Sequence, residues 1–125
     1  MSYEKVHHGD VEQVSDAMYF LSEPLGCRQV GVTLSRCPPG WKSKPHDHEE
    51  DGHEEVYILI SGTANIRIDD ESVAITDGDA IWITHTATRQ IRNGEEESTF
   101  VLISAPEFDS GNSSKEAWSL TGFQG

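Results

Sequence analysis

Apolar and polar side chains alternate in short runs through the middle of the chain. Residues 29–35 put Val30, Val32 and Leu34 on one face. Residues 64–68 do the same with Ile66 and Ile68, and residues 71–75 with Val73 and Ile75. A period of two marks a strand with one buried face. Residues 55–60 are apolar on both faces after Glu55, as in a strand held between two layers. Residues 80–83 and 98–104 add two further strands. Turn formers lie between the runs: Pro38-Pro39-Gly40, Gly52, Gly62, Asp69-Asp70, Thr76-Asp77-Gly78-Asp79 and Gly94. This punctuation predicts an all-β sandwich or barrel. Tyr57, Leu59, Trp82 and Phe100 are expected in its core, with one or two of them lining a cavity. Residues 11–23 fit a helical stripe (Val14, Ala17, Met18, Leu21) as well as a strand.

At 125 residues the chain is one domain's worth, with a core expected over about 30–104, an N-terminal arm at 1–23 and a tail at 105–125. The tail is rich in Ser, Gly and Asn and then carries Trp118, Leu120 and Phe123. Three large apolar residues there predict that it folds across an open end of the barrel or packs on a partner. No apolar run approaches the roughly 20 residues of a membrane-spanning helix, and the N-terminus lacks the pattern of a secretory signal. A cytoplasmic location is expected.

Charge narrows the partners. Twenty-two acids against nine bases give a formal net charge of −13. Nucleic acid and anionic membrane surfaces both need a positive footprint, so neither is expected as a partner. Such acidity also suits a cytosol of high salt, and a halophilic source is expected. Cys27 and Cys37 form no C-x-x-C pair, so a redox motif or zinc ribbon is excluded and two reduced thiols are expected.

The chemistry concentrates in residues 46–55, His-Asp-His-Glu-Glu-Asp-Gly-His-Glu-Glu. His46 and His48, two apart, share one face of a strand. Two imidazoles with a carboxylate from Glu55, across a short loop, suit one borderline divalent metal such as Zn, Mn, Fe or Ni. His53 shares strand parity with Glu55 and is a candidate fourth ligand. The acids Asp47, Glu49, Glu50, Asp51 and Glu54 read as solvated surface. No nucleophile elbow or glycine-rich phosphate loop is present.

These residues resemble the cupin superfamily. Its first motif runs Gly, five residues, His-x-His, a short gap, Glu, six residues, Gly. Gly40, His46, His48, Glu55 and Gly62 fit it, although the gap from His48 to Glu55 is longer than usual. The second motif is weaker: Gly78 opens it and Asn93 closes it, but Arg89 stands where a fourth metal-binding His is usual. The resemblance implies a cupin-type double-stranded β-helix, a jelly-roll barrel of two antiparallel sheets, with a metal at its mouth and a homodimer as the assembly. Arg89 cannot ligate a metal. If it points inward it attracts either an anionic substrate group or Glu55; in the second case the pair makes a metal-free site. Tyr57, Trp82 and Arg89 are the candidate substrate contacts. The resemblance leaves two functions open: a metal-dependent protein acting on a small molecule, and a non-catalytic module that binds or senses an anionic metabolite.

Overall fold

The computed structural model describes residues 2–106. Nine strands carry the fold: β1 (Gln13–Val14), β2 (Met18–Phe20), β3 (Gly31–Cys37), β4 (Glu54–Ser61), β5 (Thr63–Ile68), β6 (Glu71–Thr76), β7 (Ala80–Ile83), β8 (Arg89–Asn93) and β9 (Ser98–Ala105). They form a six-stranded sheet, in the order β1-β2-β3-β9-β4-β7, and a three-stranded sheet, β6-β5-β8. Every pairing is antiparallel. The all-β, two-sheet architecture is the one the alternation predicts. Residues 11–23 resolve into β1, β2 and the start of a single helical turn, α1 (Ser22–Leu25). No helix among the described residues is long and apolar enough to cross a membrane. The tail with Trp118, Leu120 and Phe123 lies outside the described residues.

The core fills the space between the sheets. Tyr57, Leu59 and Phe100 come from the larger sheet, and Ala64, Ile66 and Ile91 from the smaller one. Asp69, with φ of 51°, turns β5 into β6 and leaves Ile68 opposite Glu71. Gly62 turns β4 into β5 at φ 104°, where a Cβ would come within 2.7 Å of Ser98 Cβ. Only glycine fits that approach.

Two expected faces are reversed or left open. In β3 the buried positions are Ser35 and Cys37, while Val32 and Leu34 are half-buried and Val30, just before the strand, is 39% exposed. Register decides this: Ser35 pairs with Phe100 and Cys37 with Ser98, and those partners point inward. The inward side chains of β3 are therefore small, and they leave room for a cavity. In β4, Glu55, Tyr57 and Leu59 are buried, but Val56 and Ile58 are only half-buried and Ile60 is exposed. Among the described residues, no second layer covers that outer face. Trp82 belongs to the same outer face; at 60% exposed it is not a core residue.

Candidate metal centre

The segment from Gly40 to His48 runs beside β8 without forming a regular strand. Lys42 bridges to Arg92 and His46 to Arg89. The His46 N–H donates to Arg89 O at 3.1 Å, and the His48 N–H donates to His85 O at 2.9 Å. These bonds fix both histidines at the end of the barrel where β4 begins. Glu55 is the first inward position of β4, so its carboxylate arrives at the same point.

The three side chains converge. His48 Nε2 lies 3.3 Å from Glu55 Oε1, and His46 Nε2 lies 3.6 Å from the same oxygen. One ligand atom from each residue falls within 4.8 Å of the others. Donors about 2.1 Å from a shared ion stand roughly 3–4 Å apart, so this set fits a metal with little movement. The outward nitrogens are held as well. His48 Nδ1 sits 3.0 and 3.1 Å from the two Asp51 carboxylate oxygens, and His46 Nδ1 sits 3.3 Å from Lys44 O. Each acceptor keeps a proton on Nδ1, which leaves the Nε2 lone pair for the centre. His48 Nε2 is buried and has no hydrogen-bond partner. A buried nitrogen without a partner, facing a carboxylate, has the placement and the chemistry of a candidate ligand atom.

The charges are coupled. Contact with Glu55 raises the His46 pKa, against the opposing effect of burial. Burial alone would raise the Glu55 pKa, but His46, His48 and Arg89 outweigh it and hold the carboxyl below its ordinary value. The Tyr57 hydroxyl donates to Glu55 Oε1 at 3.2 Å. Burial, then the neighbouring carboxylate, pushes its own pKa well above the usual range.

A cavity of about 550 Å³ opens beside the cluster. Its walls come from β2, β3, the 41–48 segment and the inner faces of β4, β8 and β9. Tyr57, His46, His48 and Glu55 line it. Arg89, expected as a substrate contact, is not among the residues that line it. It is fully buried behind Glu55, with Nη1 3.6 Å from Glu55 Oε1 and Nη2 donating to Thr84 O at 2.6 Å. Trp82, the other such candidate, stands on the outer face of β7 away from this cavity, and its indole N–H donates to Glu54 at 2.9 Å. His53 stays outside the cluster. Its ring stacks 6.0 Å from that of His48, and its backbone N–H donates to Asp51. Sequence reasoning missed Asp51, taken as solvated surface, and the cavity walls Trp41 and Lys44. Extending the His46/His48 alternation back by two residues reaches Lys44; nothing local marks Asp51 as the partner of His48.

The cupin-domain family profile matches residues 33–106. This chain belongs to the cupin family. Among solved structures it is similar to a cupin protein from Bacteroides fragilis, at 23% identity and a TM-score of 0.71, covering 91% of this chain and 97% of that one. A protein from Photorhabdus luminescens is similar at 26% identity and a TM-score of 0.70, covering 86% and 89%. A sugar phosphate isomerase of the cupin superfamily from Silicibacter pomeroyi is similar at 24% identity and a TM-score of 0.62, covering 72% of this chain and 59% of that one. No curated protein matches the sequence. For this cupin the first and third of these likenesses carry the fold alone.

Proposed function

We propose that this cupin holds one divalent metal through His46, His48 and Glu55 and presents it to a small molecule in the adjoining cavity. One observation carries the reading: two Nε2 atoms face a shared carboxylate, each with its Nδ1 held by an acceptor behind it. Mixed nitrogen and oxygen donors suit Zn, Mn, Fe or Ni. A metal held there supplies a Lewis acid or an oxygen-activating centre. The chain's own groups orient the donors, exclude water on the Tyr57 side and keep Glu55 ionised.

Metal analysis of protein purified without a tag tests this. The wild type should carry or take up about one equivalent, and the His46→Ala/His48→Ala double variant should lose it. Unchanged metal content in the double variant rejects the assignment. A second reading, a metal-free module for an anionic metabolite, is favoured by one feature: Arg89 already offers Glu55 a cation at 3.6 Å. Under that reading the wild type takes up no metal.

The assembly we infer is a homodimer in the cytoplasm. The outer face of the larger sheet supports the dimer, because Leu34, Val56, Ile58, Val101, Ile103 and Trp82 form uncharged rows on it. A single-chain mass in light scattering would refute the dimer.

A further inference from the structure

Resting on the metal-site reading, we propose that the cavity takes a monoanionic acid with an apolar body, such as an aryl or branched alkyl carboxylate, rather than a sugar. The walls are mainly apolar: Met18 and Phe20 on β2, Trp41, Ile91 on β8 and Leu102 on β9. Four of the polar groups on these walls are engaged already, while the side chains of Ser15, Thr33, Ser104, Glu23 and Lys44 make no hydrogen bond among the described residues. The Trp41 indole N–H donates to Ser15 O at 2.9 Å, and the Tyr57 hydroxyl donates to Glu55. Ser22 Oγ accepts from the Val32 N–H at 2.7 Å, and Ser43 Oγ accepts from the Ile91 N–H at 2.8 Å. A polyhydroxylated ligand needs a partner for nearly every hydroxyl it buries. Most of the exposed wall is hydrocarbon, so an apolar body gains more from it than a polyhydroxylated one.

Charge sets the direction of the ligand. Lys44 lines the cavity two residues from His46, beside the metal end, whereas Glu23 lines it from α1. An anionic head therefore belongs at the histidine end. A second anionic group near Glu23 would be repelled, which disfavours doubly charged ligands.

Titration calorimetry with 4-phenylbutyrate, its neutral alcohol 4-phenylbutanol and glucose 6-phosphate tests the proposal on the full chain supplied with one equivalent of Ni(II). Phenylbutyrate should bind about tenfold more tightly than either comparison ligand. Phe20→Ser should weaken it about fivefold, and Lys44→Met should shrink its advantage over the alcohol. Both side chains are exposed enough for the variants to fold. Tighter binding of glucose 6-phosphate overturns the proposal, and so does phenylbutyrate binding that ignores both substitutions. The two readings fail separately. If His46→Ala/His48→Ala keeps its metal, the metal assignment fails. If that variant loses its metal but the wild type ignores phenylbutyrate, the ligand class fails.

Discussion

Asp51→Asn probes the metal centre without touching a ligand. One Asp51 oxygen accepts both the His53 N–H at 3.0 Å and His48 Nδ1 at 3.1 Å; the other accepts from His48 Nδ1 at 3.0 Å. These bonds, the His53 N–H first, hold the Asp51 pKa below its ordinary value. In the variant the amide oxygen keeps the His53 N–H, and the amide NH₂ then faces the His48 N–H. The amide oxygen is still 3.1 Å from His48 Nδ1, but the charge-assisted bond is lost and the NH₂ group crowds the same N–H from the Oδ2 position, so the ring is held less firmly toward the centre. Losing such a partner costs about 10–100-fold in metal affinity. The Asp51 side chain is 53% exposed, so the low end applies: about tenfold, or ~1.4 kcal/mol. The assay is Zn(II) or Ni(II) titration by calorimetry at fixed pH, with circular dichroism to check the fold. Glu50→Gln removes an equal charge from the same loop and controls for long-range attraction; it should change affinity less than about twofold. An Asp51→Asn affinity within about twofold of wild type would refute the orienting role.

Two predictions concern the scaffold. Gly62→Ala combines a φ of 104° with backbone and Cβ atoms of Ser98 within 2.9 Å, so it should cost about 3 kcal/mol in urea denaturation. Gly78→Ala, at φ 88° with nothing within 4 Å, should cost only about 1 kcal/mol; equal losses would contradict the steric account. Cys37 is fully buried, with its pKa raised by burial, while Cys27 is partly exposed, and both are free thiols. A thiol reagent should therefore modify Cys27 in the native protein and reach Cys37 only after denaturant is added; rapid reaction of both would show that the β3 end opens readily.

Most strands were legible from a period of two or from short apolar runs between turn formers, and the His46/His48/Glu55 set from its spacing to Gly40 and Gly62, although His46 and His48 stand on an irregular segment rather than a strand. The turns at Asp69-Asp70 and 76–79 were legible from residue type. What stayed hidden needed partners. Which residues of β3 are fully buried depends on its register against β9: Ser35 and Cys37 are, whereas Val32 and Leu34 are half-buried, with Val32 on the cavity wall. Trp82 looked like a core residue, but its strand lies at the edge of the larger sheet and turns the ring outward. Met18 and Phe20 sit on a three-residue strand, too short for a period to show. The sequence left open whether Arg89 points inward, and an inward position alone does not separate a cavity wall from the layer behind it.

That distinction changes what Arg89 does. Its guanidinium is fully buried, and Nε and Nη1 find no hydrogen-bond partner. A buried cation is costly unless a counter-charge stands near it, and the Glu55 carboxylate at 3.6 Å is that charge. With neutral imidazoles, Glu55 and Arg89 cancel before any metal arrives. A neutral histidine in the same place would leave the carboxylate's negative charge to offset part of the ion's. With Arg89 the full double charge of a divalent ion remains uncompensated. The substitution thus weakens the hold on the metal and strengthens the pull on an anion from the cavity side. Under the proposed metal reading, Arg89 would therefore favour an anionic ligand on the cavity side, in line with Lys44 and the apolar walls there.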